Sequence, residues 1–355
     1  MNPFQIKFQI DALDLFKRIR ASHMGAHMYE NHAGMMGDLN ISGDRMWHNA
    51  ATLEPDYYIP SQDIVFLRNT LPELAQYLPR GLPVVDLGPG SIPAVEEKSL
   101  PIVQTLQSRF YRPIDMSSQY AHAAARFMQN RMPDVQSEGV IADIFSPHTV
   151  HGVDEPVLTY FGGATITNLL HSGVEYFPRE VLVNTLKDFR SLTRDGWLLI
   201  SYDSNNNEDH LFRAYGTYWF GLFACNVFYR IAAELPHRGF DPDAFDYIPE
   251  WNAPCHQFIH YLVARHDLNF TLAGQEFRVA QGEKFNVLNS YKFPTGLFHA
   301  CAEEAGFEIV HDWQDSSPLR LILLRVHAED FMNENFIQRQ STSQYISAYA
   351  DNHAA

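Results

Sequence analysis

The sequence is poor in cysteine and in basic residues, and each shortage closes off a class of protein. Its 355 residues hold three cysteines, Cys225, Cys255 and Cys301, widely spaced and without a C-x-x-C pair. Neither a disulfide framework nor a cysteine zinc site can be built from them, which suits reduced thiols and a cytoplasmic protein. Lys and Arg number 26 against 42 Asp and Glu, a formal charge of −16. A phosphate backbone or an anionic bilayer would be repelled, so neither nucleic acid nor membrane is an expected partner. No apolar run approaches the length of a membrane span, and the opening MNPFQIKFQIDALDLF is too polar for a signal peptide. What the chain does hold is apolar and aromatic mass, 46% and 13%. At this length that is enough to bury one large core or two moderate ones.

The stretch Val84-Val85-Asp86-Leu87-Gly88-Pro89-Gly90-Ser91 organises the rest. It reads as a short buried strand, a tight glycine turn and then a helix over 92–106, the first unit of a doubly wound sheet that binds its ligand at the carboxyl ends of the strands. The third glycine of the dinucleotide fingerprint is missing. A βα rhythm continues: a strand over 111–115, a helix over 117–130, a strand over 140–144, a strand over 156–161, a helix over 178–193 and a strand over 197–203. Beyond Asp203 the rhythm breaks into aromatic-rich helix over 208–235 and short alternating segments over 257–292. A helix over 295–305 and strands over 307–313 and 319–326 then return to the main sheet.

Before the first strand, residues 4–20 read as a helix, and 62–77 as another with Ser61 as its N-cap. The intervening 22–50 carries four histidines and five methionines among glycines. Without an accompanying carboxylate motif it reads as a lid or ordered cover, and no metal is expected. The tail from Glu329 reads as a loose end. The expected organisation is 1–60 as an N-terminal helical or lid segment and 61–203 as a cofactor-binding core. An inserted substrate domain follows at 204–293, then 294–327 returning to the sheet and a tail over 328–355.

Two acids end successive strands. Asp115, 27 residues past Gly88, is placed to meet ribose hydroxyls, and Asp143 to meet an adenine amino group. With the short Gly88–Gly90 turn they favour S-adenosylmethionine over NAD, which stays open as an alternative. The loop after the fourth strand brings Gly163 and Asn168 to the same edge. There a glycine permits close approach and an amide offers both a donor and an acceptor.

Phe161-Gly162-Gly163-Ala164-Thr165-Ile166-Thr167-Asn168, with Asp143 upstream and Asp203 downstream, resembles the signature of the histidine-specific Nα-methyltransferase family. The likeness runs on through Arg213-Ala214-Tyr215, Glu234-Leu235, Trp251-Asn252, Ser290-Tyr291-Lys292-Phe293 and Ala305-Gly306-Phe307, and upstream to Pro55-Asp56-Tyr57-Tyr58. In collinear order it spans about residues 40–327. It implies an α/β fold, a Rossmann-like class I methyltransferase core with an inserted α+β substrate domain, and S-adenosylmethionine as cofactor.

By that resemblance Gly88, Asp115, Asp143 and Thr165 hold the cofactor, with Gly90 and Ile144 beside them. Tyr58, Gly163, Asn168 and Tyr215 hold the amino and carboxylate end of the substrate. Asn168, Tyr58 and Tyr215 form the expected catalytic set, and His260, Leu288 and Ser290 complete the substrate site. The departures are informative. Where the family reads an imidazole with glutamate this chain has Leu288, and where it has a methionine this chain has His260. The turn Leu87-Gly88-Pro89-Gly90-Ser91-Ile92-Pro93-Ala94 lacks the family's lysine, and no tyrosine matches near Leu39. A buried imidazole N–H deprived of its acceptor costs roughly 1–3 kcal/mol. The expected reaction is therefore N-methylation of a small amino acid or amine other than histidine, with a side chain that is aromatic or otherwise apolar. Methyl transfer to O, S or C and cofactor binding without turnover are the alternatives.

Overall fold

A computed structural model describes residues 11–21, 35–36, 41–142, 144, 155–168 and 177–326. Most of the expected lid, the position near Leu39, Asp143 and the tail from Glu329 lie outside the described residues, as does the start of the helix expected over 4–20.

The first helix, α1 (Ala12–Arg20), is capped by the Asp11 carboxylate, which accepts from the N–H groups of Leu13 and Asp14. Next come α2 (Gly43–Leu53) and α3 (Ile59–Tyr77). Helix α3 starts earlier than the expected Gln62, and Ser61 is not its cap. Pro60, whose fixed φ suits a first helical turn, draws the start back, and the Ser61 hydroxyl instead donates to the Tyr58 carbonyl at 3.2 Å.

Strand β1 (Val84–Leu87) leads through the glycine turn into α4, a helical run of three parts: Ile92–Ala94, a π-helical turn at Val95–Ser99, and Leu100–Leu106. Pro101 has no N–H for the carbonyl of Glu97, which favours the wider spacing at that turn. Then follow β2 (Phe110–Asp115), α5 (Ser118–Arg131), β3 (Leu158–Phe161), α6 (Arg179–Thr193) and β4 (Trp197–Asp203). The strand expected over 140–144 is shorter. Val140–Ile141 pairs with the end of β2, and Gln136–Ser137 with its start. Between them the chain brushes α5 at Gly139, where a Cβ would lie 2.5 Å from the Ala121 carbonyl oxygen.

The insertion comprises α7 (Glu208–Tyr215), α8 (Tyr218–Glu234), β5 (Phe245–Asn252), β6 (Gln257–Ala264), β7 (Leu268–Leu272), β8 (Gln275–Val279) and β9 (Lys284–Tyr291). The chain closes with α9 (Thr295–Glu304), β10 (Phe307–Gln314) and β11 (Leu319–Val326).

The main sheet runs β10-β11-β4-β3-β1-β2 and then the two short strands. It is parallel from β4 outward, while β11 is antiparallel to both of its neighbours. This is a Rossmann-like α/β sheet with an antiparallel hairpin at one edge, and strand order reverses between β1 and β3. Its central strands are buried on both faces. Leu198 and Ile200 pack with α6 and α9 on one side, and Leu199 faces the core shared with α3 and α4 on the other.

In the insertion β5-β6-β9 form one antiparallel sheet, and β7, β8 and His237–Arg238 a second. Helix α1 belongs to this half: Phe16, fully buried, packs among the rings of Phe228, Phe240, Phe270, Phe277 and Phe285. The insertion leaves the sheet at Asp203 and returns beside it, since the Phe293 N–H donates to the Asp203 carbonyl at 2.8 Å.

Candidate active site

Four adjacent parallel strands, β2-β1-β3-β4, end on one edge and deliver Asp115, Gly88, the loop at Gly163 and Asp203 there. Gly88 and Gly90 both have positive φ, 65° and 71°, a conformation that glycine adopts without strain. Ile144 closes over this turn, its Cδ1 3.6 Å from where a Cβ on Gly88 would be. The Asp115 carboxylate accepts from the N–H of Ser117 at 2.8 Å and from the N–H of Gly90. Burial pushes its pKa up to about 7, the neighbouring Asp86 adds to this, and the two N–H donors oppose it. Asp86, wholly buried in β1, is spent on structure: the hydroxyls of Ser99 and Tyr111 each donate to it at 2.6 Å.

At the end of β3 two left-handed residues, Gly163 and Ala164, turn the chain into a 3₁₀ turn over Thr165–Asn168. The Gly163 N–H donates to Asp63 Oδ2 at 3.0 Å, and the Ala164 N–H to Ser201 Oγ at 2.9 Å. Asp63 also receives the Lys98 ammonium at 3.2 Å. The glycine turn itself lacks a lysine, but α4 thus supplies one a few residues later, beside Gly163. Thr165 donates its hydroxyl to the Gly162 carbonyl at 3.0 Å.

A continuous buried chain of hydrogen bonds links this edge to the insertion. Asn205 Nδ2 donates to the Tyr58 hydroxyl at 2.9 Å, and Tyr58 donates to Asp203 Oδ2 at 2.6 Å. The Lys292 ammonium donates to the same oxygen at 2.6 Å and to the Tyr215 hydroxyl at 2.7 Å. Tyr215 is hydrogen-bonded to Ser290, whose hydroxyl donates to Asn168 Oδ1 at 2.8 Å. Asp203 and Lys292 are 0% and 1% exposed, a fully desolvated ion pair. The two residues meet because the insertion begins and ends here. Burial raises the pKa of Tyr58 and of Tyr215, with the Asp203 charge adding to it, so both phenols are protonated donors. Of the two adjacent tyrosines, Tyr58 joins the chain through its hydroxyl, while Tyr57 packs its ring against Tyr215 at 5.5 Å between centroids.

His260 and Leu288 are cross-strand partners on β6 and β9, and Phe258 and Ser290 are the next pair on the same face. His260 is fully buried and stacks on Phe220 at 4.9 Å, with Tyr215 and Phe258 edge-on. Burial, aided by the Lys292 charge, lowers its pKa well below 6.5, so the imidazole is neutral.

A family model for histidine-specific, SAM-dependent methyltransferases matches residues 40–326. The chain belongs to that family. The methyltransferase is 32% identical over 233 residues, 64% of this chain and 75% of the relative, to an uncharacterised protein, y4iF, of Sinorhizobium fredii. A histidine N-alpha-methyltransferase of Mycolicibacterium smegmatis is 26% identical over 74% of this chain and 80% of its own. An N-methyltransferase, imqF, of Aspergillus flavus is 21% identical over 73% and 72%. The cofactor is S-adenosylmethionine, and the strand edge fits it: two positive-φ glycines leave backbone open at the switch point, and Asp115 stands on the next strand.

The structure therefore brings Tyr58, Asn168, Tyr215 and Ser290 into one network, with His260 and Leu288 next to it. It groups Gly88, Gly90, Asp115 and Ile144 at the first turn, with Gly163 and Thr165 on the loop alongside. Sequence reasoning assigned no role to Lys292, Asp203, Asn205, Asp63 or Lys98. A signal for Lys292 existed: it lies two residues beyond Ser290 and four beyond Leu288, the spacing of one strand face. Among the described residues no helix is long and apolar enough to cross a membrane, and no group of His, Cys, Asp or Glu could hold a metal ion.

Proposed function

We propose that the methyltransferase methylates the amino group of a small amino acid or amine other than histidine. The observation that carries this reading is the buried chain from Asn205 to Asn168, which joins the cofactor edge to the insertion and ends in groups suited to an amine and a carboxylate.

Gly88, Gly90, Asp115, Ile144 and Thr165, with Asp143, hold the cofactor, which when bound supplies an electrophilic methyl group on its sulfonium. Lys98, beside Gly163, adds a cation for the cofactor's carboxylate. Asn168 accepts a hydrogen bond from Ser290 at one lone pair of its amide oxygen and offers the other to an amine N–H, while Tyr58 bounds the same space. The amine's lone pair is then held in one direction, and positioning of this kind accounts for most of what a displacement at a methyl group asks of a protein. Tyr215, organised by Lys292, turns its hydroxyl proton to the carboxylate or its equivalent, Ser290 borders it while holding Asn168, and Gly163 lets the substrate approach the backbone.

Leu288 supports the exclusion of histidine, because no carboxylate stands there to pair with an imidazole that can carry a charge. In this reading 61–203 and 294–327 form the cofactor-binding unit and 204–293 the acceptor unit. The protein works in the cytoplasm, where its three cysteines, none of them in a disulfide, stay reduced.

The test is calorimetric titration with S-adenosylhomocysteine, followed by titration of that complex with amino acids and amines. A labelled methyl donor then locates the methyl on the product. Micromolar cofactor binding, one tight acceptor and a methyl on nitrogen are expected. A methyl on O, S or C, or binding without turnover, refutes the reading.

A further inference from the structure

The Tyr247 hydroxyl makes two contacts, to the Tyr215 carbonyl at 3.1 Å and to His260 Nδ1 at 2.8 Å. A carbonyl can only accept, and the hydroxyl has one proton. Both contacts are satisfied only when that proton goes to the carbonyl and Nδ1–H donates to the hydroxyl oxygen. The tautomer is thereby fixed, and Nε2 is a bare acceptor. The carbonyl concerned is one that helix α7 leaves free at its C-terminal end, so the device is anchored in main chain. Nε2 is buried and has no partner among the described residues. A buried acceptor left unsatisfied is costly, and its place opposite Leu288, one residue pair from Ser290, puts it next to the acceptor network.

We propose that His260 Nε2 is the specificity acceptor of this site and reads an N–H or O–H donor on the substrate's side chain. This rests on the amino-acid reading above, and it replaces an apolar side chain with one that carries a single donor. The family's charged reader is lost at Leu288, and a neutral acceptor stands across the strand from it.

The test uses the protein saturated with S-adenosylhomocysteine and matched probes: tyrosine, O-methyltyrosine and phenylalanine, and tryptophan against 1-methyltryptophan. The donor-bearing member of at least one set is expected to bind tenfold or more tightly than its blocked or donor-free analogue. In His260→Leu that preference should fall to within about twofold, with S-adenosylhomocysteine affinity unchanged. Nitrogen-15 NMR of the imidazole should show a protonated Nδ1 and a bare Nε2 that shifts when the preferred probe binds. A protonated Nε2 overturns the proposal, as does equal binding within every set or a preference that survives in His260→Leu. If no probe binds while S-adenosylhomocysteine still does, the reading of the site fails, and this inference with it.

Discussion

Replacing Lys292 with methionine would leave Asp203 0% exposed and without its counter-charge. Breaking a buried pair on one side typically costs about 3–5 kcal/mol, because the surviving charge keeps its desolvation penalty. Asp203 would retain the Tyr58 hydroxyl at 2.6 Å and the Asn205 N–H at 2.9 Å, so the lower end, about 3 kcal/mol, is expected. At about 2.1 cal/mol/K of unfolding entropy per residue, a chain of 355 residues shifts by about 1.3 °C per kcal/mol, so Lys292→Met should melt roughly 4 °C below the native protein in scanning calorimetry. The double variant Asp203→Asn/Lys292→Met removes both charges and keeps a side-chain acceptor for Tyr58. It should recover most of the loss, giving a coupling of about 2 kcal/mol in the cycle. Acceptor methylation should be lost in Lys292→Met, because the Tyr215 hydroxyl loses its donor. S-adenosylhomocysteine affinity should stay within about threefold, since Gly88 and Asp115 are untouched. A melting point within about 2 °C of the native one, or additive effects in the cycle, would refute the claim that the pair holds the site together.

Asn168→Ala should abolish methylation in a radiolabel assay while calorimetry shows S-adenosylhomocysteine binding intact; retained activity removes Asn168 from the amine site. Lys98→Met should weaken S-adenosylhomocysteine binding about tenfold, and unchanged affinity would leave Lys98 as a partner of Asp63 alone. The pH dependence of cofactor binding follows from Asp115. Its pKa of about 7 in the folded protein lies above the ordinary carboxyl value of 3.8, so the stability it contributes is full below that value and is lost as pH rises through 7. Ribose hydroxyls favour the ionised form. S-adenosylhomocysteine affinity should therefore climb from pH 5.5 to about 7, level off above, and lose the slope in Asp115→Asn; a flat profile in the native protein contradicts the assignment.

How far the sequence reached depended on the range of the interactions concerned. The glycine turn, the βα rhythm and the break after Asp203 are local matters of φ, hydrophobic period and strand length, and they were legible. The start of α3 was misplaced because Ser61 is a good cap in isolation, whereas Pro60 competes for the first turn. The strand over 140–144 was overextended because apolar composition does not reveal that Gly139 must pass close to α5. The lysine absent from the glycine turn was treated as lost, since spacing along a chain does not show that Lys98 on α4 comes to rest beside Gly163.

By itself, then, the sequence determined the architecture and the cofactor edge, because each rests on residues adjacent in the chain or repeated at a fixed period. The tertiary structure alone decided how the residues of the buried hydrogen-bond network meet. Tyr58, Asp203, Tyr215 and Lys292 are separated by up to 234 residues, and they meet because the insertion starts and finishes at the end of one strand. His260 illustrates the same limit at the scale of one proton. Its residue type is plain in the sequence, but which nitrogen is bare depends on a tyrosine from β5 and a carbonyl at the end of α7. Only the packed fold brings those two to one place.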